Sequence, residues 1–162
     1  GMHGGSNNEY IGQIGGCTDE EYRTHFSLWA MMNSPLMIGC DIRSMSEYTK
    51  ETLTNPDIIA INQDIECRGP YCVPQWNNPE NVLSLVKPMA DGSLAIGMFN
   101  FSDVKSEMSL QFWDMGLPAS AGVGLEVYNC WTHENEGQFF ERYVDILEPH
   151  GCRVLRAKLV RK

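Results

Sequence analysis

The stretch from Thr18 to Asp64 constrains this chain most, because it reads as helix, buried strand, then helix. Thr18 and Glu21 have the T-x-x-E spacing of a capping box, which places a helix N-terminus there. Tyr22, Phe26, Trp29 and Ala30 follow on one face at three- and four-residue spacing. Asn33, Ser34 and Pro35 end that helix, since proline lacks an N–H and restricts the residue before it. Leu36, Met37 and Ile38 form an apolar run without polar alternation, as expected of a strand buried on both faces. Gly39, Cys40 and Asp41 then fall at its C-terminal end. Ser44 to Thr52 predicts a short helix, and Asn55-Pro56 starts another, with Pro56 at the first helical position.

Helix, buried strand, polar strand end and helix is the repeat of an α/β sheet or a (β/α)8 barrel. A complete barrel needs roughly 200 residues or more, and the chain has 162. One strand cannot make such a sheet, so the chain is expected to begin inside that domain. Residues 1–17 are rich in glycine and asparagine and read as loop, with His3 in it as an unpaired loop residue. Arg68 to Asn81 is rich in Pro, Gly and Asn and serves as the expected domain boundary, with the break near Asn77 or Asn78.

Beyond Asn81 the period changes. Strands are expected over Val82–Val86, Leu94–Asn100, Met108–Phe112, Leu125–Tyr128, Phe139–Leu147 and Cys152–Val160, with turns at Asp91-Gly92 and Pro149-His150-Gly151. Short strands at this spacing, without an intervening helix, indicate an antiparallel sandwich. The division is therefore 1–77 and 78–162.

Composition excludes some functions. Twelve basic against 21 acidic side chains give a net charge of −9, which disfavours nucleic acid and anionic membrane as partners. No apolar run approaches the roughly 18 residues of a bilayer span, and no signal peptide is visible, which tilts the expectation toward a cytoplasmic location. Cys67 and Cys72 have C-x4-C spacing around a plausible turn, open to a small disulfide loop or to two free thiols. The spacing suits neither a redox C-x-x-C nor a zinc site.

The text YRTHFSLWAMMNSPLMIGCDIR, followed by NPDIIAINQD, resembles the end of the catalytic barrel of the α-galactosidase (melibiase) family of retaining glycoside hydrolases. The pieces LVKPMADGSLAIGMFNFS, VYNCW and EPHGCRVLRAKL are similar to that family's C-terminal antiparallel β-domain. The resemblance implies an α+β chain: the seventh helix, eighth strand and closing helix of a (β/α)8 barrel, then an antiparallel β-sandwich. It also implies hydrolysis of terminal α-galactosidic bonds in an intact homologue, by two carboxylates. In the family these lie on the fourth and sixth barrel strands, and a sugar-contacting W-N-D-P-D-M-L segment follows the seventh. None of these segments occurs here. The expectation is that the chain starts just beyond the last of them and is inactive alone.

No catalytic, cofactor-binding or metal-binding residue is therefore assigned. Asp41, at the expected strand end, reads as a loop-fixing group ahead of a supporting role near a sugar pocket. Asp57 and Asp64 flank a helix and read as structural, and Asp19, Glu20 and Glu21 suit a solvated first turn. His25 reads as a packing histidine, Cys40 as a small core hydrophobe, and Trp29 as packing the helix on the sheet. Trp76 could bridge the two domains. Trp113 and Trp131 are candidates for stacking on sugar, with strand-core packing the favoured reading. Trp131-Thr132-His133 has no metal spacing. The competing class is a non-catalytic accessory or carbohydrate-binding sandwich. An incomplete barrel segment would also expose apolar surface, so self-association is expected.

Overall fold

The computed structural model describes residues 16–76 and 80–162. The expected break at Asn77 or Asn78, His3 and the first fifteen residues of the expected loop lie outside these described residues.

Helix α1 spans Asp19–Met31 and carries the expected capping box: the Thr18 side chain accepts the Glu21 N–H, and Glu21 accepts the Thr18 N–H. That bond from the Thr18 backbone, more than any other influence, holds the Glu21 carboxyl below its ordinary value. The helix ends in a Schellman motif. Asn33 takes the left-handed conformation at φ 54°, its N–H bonds to the Ala30 carbonyl, and the Ser34 N–H bonds to Trp29. Helix α2 spans Glu47–Thr54, capped by Ser46, and helix α3 spans Pro56–Asn62, capped by Asn55 with Pro56 at its first position.

Residues 36–38 correct the sequence expectation. They belong to no strand, the Met37 N–H bonds back to the Pro35 carbonyl, and Met37 is 89 % exposed. A buried parallel strand exists only through its neighbours' backbone groups. Among the described residues every paired strand is antiparallel and lies beyond residue 70, so the run has no ladder to join. Asp41 accordingly sits in a loop and not at a strand end.

The rest is an antiparallel sandwich of unequal halves. Strands β1 (Tyr71–Val73), β2 (Val82–Pro88), β3 (Leu94–Asn100), β5 (Val123–Asn129), β6 (Glu134–Phe139) and β8 (Cys152–Arg161) form one sheet in the order β1-β2-β3-β8-β5-β6. Strands β4 (Ser106–Gln111) and β7 (Arg142–Leu147) form a two-stranded sheet against it. The six expected strands are found, with shifted limits. Phe112 leaves β4 for a 3-10 turn over Phe112–Met115, and the expected Phe139–Leu147 strand begins at Arg142. Strands β1 and β6 were not expected. The first lies inside the Pro/Gly-rich boundary and the second is a polar edge strand.

Each face of the larger sheet buries its own core. On one side Val86, Ile96, Met98, Leu125 and Leu155 meet Met108, Leu110, Tyr143 and Leu147 of the smaller sheet. On the other side Leu85, Ala95, Phe99 and Val154 meet Phe26, Ala30 and Met31 of α1 with Ile58 and Ile61 of α3. The helix comes in over Gly97, where an added Cβ would stand 2.7 Å from the Phe99 ring and 3.2 Å from Met31. Each of these large apolar side chains is worth about 2–5 kcal/mol against truncation to alanine.

Polar side chains fasten the helices to the sheet. Lys87 of β2 is fully buried, and its ammonium donates to the Asn33 side chain and to the Ile61 carbonyl at the end of α3. Asn55 accepts the N–H groups of Asp57 and Ile58 and donates to the Cys130 carbonyl at 2.8 Å. Thr24 donates to the His150 carbonyl at 2.7 Å, and the Trp131 indole donates to Ser27 at 3.2 Å.

Two predictions follow from these fasteners. Asn55→Ala loses a cap and a buried bond across the seam, and should lower stability by about 2 kcal/mol in urea unfolding. A loss within experimental error would mean that the seam contributes nothing. Burial pushes the Lys87 ammonium below its ordinary value, with Asp64 opposing the shift. Between that lowered value and the unfolded one, the unfolded chain binds more protons, so the cost of burying Lys87 falls as pH rises. Lys87→Met should cost about 2 kcal/mol near neutral pH, through the stranded acceptors. Its deficit against the parent should widen as pH approaches the ordinary lysine range, and a deficit independent of pH would refute this.

Candidate functional site

One face of α1 places Tyr22, His25, Phe26 and Trp29 along a cavity of about 630 Å³. Residues 35–40, with Leu53, Ile59 and Gln63, complete its lining. Its size suits a small ligand, but among the described residues its lining contains no Asp or Glu. His25 sets its ring edge-to-face on Trp29, with centroids 5.3 Å apart. Trp29 faces this cavity and is not the residue that packs the helix on the sheet; Phe26, Ala30 and Met31 do that. Cys40 is half-buried in the cavity lining and is no part of a strand core.

The acids singled out in the sequence serve separate local partners. Asp41 grips Arg43 through both carboxylate oxygens, at 2.9 Å to Nε and 2.9 Å to Nη2, and accepts the Arg43 N–H. That guanidinium holds the Asp41 carboxyl below its ordinary value. Asp57 accepts the Tyr128 hydroxyl at 3.0 Å and lies 2.8 Å from Nδ1 of His133. Asp64 accepts the N–H groups of Glu66 and Ala90. Glu20 accepts the Tyr48 hydroxyl at 3.3 Å.

A second, polar cleft of about 380 Å³ lies where the helices meet the β5–β6 turn, lined by Arg23, Glu51, Asn55, Trp131 and His133 among others. The Arg23 guanidinium lies over the Tyr48 ring at 4.4 Å and over Trp131 at 4.6 Å. Burial pushes the Tyr48 hydroxyl up to about 12, against the pull of Arg23. One face of Trp131 is thus taken by an arginine, and the residue packs against the core beneath the helices, as the packing reading expects.

Trp113 differs from its expected core position. It projects from the 3-10 turn and is 64 % exposed. Trp76, 66 % exposed, donates its indole N–H to Asp114 at 2.9 Å. Sequence reasoning missed Asp114, and no local spacing could have revealed it, since its partner is 38 positions away. The thiols of Cys67 and Cys72 are free and exposed, whereas burial pushes the Cys130 thiol up to about 12 and the Cys152 thiol upward. Among the described residues no three His, Cys, Asp or Glu side chains are grouped to hold a metal ion. No helix among them is long and apolar enough to cross a membrane.

Comparison with known proteins fits this architecture. Residues 3–64 match the family model described as alpha galactosidase A, and residues 81–157 match the alpha galactosidase C-terminal beta sandwich domain. The alpha-galactosidase of Cyamopsis tetragonoloba is 32 % identical over 141 residues, covering 86 % of this chain and 33 % of that protein. Among solved structures, alpha-galactosidase I from Mortierella vinacea superposes with a TM-score of 0.78 at 26 % identity, covering 89 % of this chain and 36 % of that one. A β-L-arabinopyranosidase from Geobacillus stearothermophilus superposes with a TM-score of 0.73 at 26 % identity, covering 87 % and 30 %. The chain spans about a third of the length of the curated relatives it matches. With a catalytic-domain segment followed by the C-terminal β-sandwich, the chain belongs to the melibiase-like α-galactosidase family.

Proposed function

We propose that this chain supplies the closing segment and the β-sandwich of an α-galactosidase-like retaining glycosidase, and that it contains neither of the two catalytic carboxylates. The division into residues 1–77 and 78–162 is part of the same proposal. In the intact enzyme one carboxylate attacks the anomeric carbon of a terminal α-galactoside, or a closely related sugar, and the other protonates the leaving oxygen. Such a pair stands about 5–5.5 Å apart across the sugar. The observation that carries this reading is that the described residues lining the 630 Å³ cavity include no acid. Asp41, Asp57 and Asp64 add support, since each is engaged by donors of its own.

The isolated 162-residue chain should release no aryl alcohol from an activated aryl α-galactoside above a matched control. Hydrolysis that a single Asp or Glu substitution in this chain abolishes would overturn the proposal.

The cavity mouth has a second consequence. Met37, Ile38 and Trp29 present apolar surface that the intact barrel would cover, and the isolated chain is proposed to cover it by self-association. Light scattering should detect dimers or larger species, and Met37→Asp with Ile38→Asp should shift them toward monomer. A parent chain that stays monomeric at high concentration would contradict this.

A further inference from the structure

We propose that Trp76, Trp113 and Asp114 form a carbohydrate-binding surface on the sandwich, which takes a pyranose ring of a neutral glycan. The proposal is independent of where the catalytic acids come from.

The two indoles are among the most exposed large apolar side chains of the described residues, at 66 % and 64 %. The backbone beneath each is anchored. Gln75, next to Trp76, is buried; its amide donates to Ser84 of β2 at 2.7 Å and accepts the Ser109 N–H of β4 at 3.0 Å. Trp76 therefore leaves a backbone fastened to both sheets, and its indole N–H is fixed by Asp114. Trp113 and Asp114 ride on the 3-10 turn that starts at Phe112, whose ring is fully buried in the core between the sheets. The turn closes at Gly116, at φ +79°, with its N–H on the Trp113 carbonyl. Rigid aromatic side chains set in advance lose little freedom on binding.

The chemistry of the patch selects the ligand. A pyranose offers an apolar face of C–H groups to an indole and hydroxyl donors at its rim to a carboxylate. The Asp114 carboxylate accepts the Trp76 indole N–H and follows Trp113 directly in the 3-10 turn; a charge there would be costly beneath an apolar partner, because desolvating it is expensive. The same group accepts hydrogen bonds from sugar hydroxyls. The net charge of −9 favours a neutral over an acidic glycan.

The test is titration of the whole chain with methyl α-D-galactopyranoside, methyl α-D-glucopyranoside and a soluble galactomannan, read by the indole N–H signals in NMR. The four tryptophans give separate reporters. The Trp76 and Trp113 signals should move with at least one probe, at dissociation constants on the order of millimolar, while Trp29 and Trp131 stay still. Trp113→Ala should weaken binding about tenfold or more, Trp113→Phe less, and Asp114→Asn severalfold. Thermal melts should match the parent, since both rings are exposed. Motionless Trp76 and Trp113 signals with every probe would overturn the proposal. So would binding unchanged in the Trp76→Ala, Trp113→Ala double variant, or self-association of the parent that this double variant abolishes.

Discussion

The six-stranded sheet presents apolar side chains on both faces, Ile96 and Met98 to one side and Ala95 and Phe99 to the other. Such a sheet is stable in water only if both faces are covered. The smaller sheet covers the first. The helices covering the second lie in the segment that matches the catalytic-domain model, not in the sandwich match. The helical segment is thus the cover of the sheet's second core. Its apolar contacts are made to β2, β3 and β8.

Apolar burial is permissive about register, whereas the polar bonds in the same seam are not. Lys87 must meet the Asn33 side chain and the Ile61 carbonyl together, which fixes the ends of α1 and α3 relative to β2. Asn55 does the same at the opposite end of α3, where it caps the helix and reaches the Cys130 carbonyl. A slip of one residue would strand these groups in the core, at a cost of about 1–3 kcal/mol each. The seam is specified chiefly by its polar members.

What could be read in the sequence was local. Thr18 with Glu21 and Asn55 with Pro56 announce helix starts because a cap is made within four residues. Asp91-Gly92 announces its turn because Gly92 takes φ +81° and Asp91 accepts the Ser93 N–H. The failures were those where distant groups decide. Leu36–Ile38 has the composition of a buried strand but no described neighbour to pair with. Strand β6 reads as polar because its edge position asks for little burial, and it is held by the backbone of β5. Lys87 gave no signal at all, since lysine in an alternating strand is ordinarily a solvated residue.

The same dependence on distant partners bears on the chemistry of the site. A general acid in glycoside hydrolysis needs a carboxyl whose proton is retained near neutral pH, which an apolar pocket provides by disfavouring the charge. Among the described residues, the carboxyls with a shifted value, Glu21, Asp41 and Asp91, all move the other way. In each a hydrogen bond from a residue two or three positions away, Thr18, Arg43 or Ser93, stabilises the anion. The apolar cavity, where a carboxyl would keep its proton, is lined by tyrosine, histidine, tryptophan and aliphatic side chains instead. The environment for a general acid and the groups able to act as one are thus separated within the described residues.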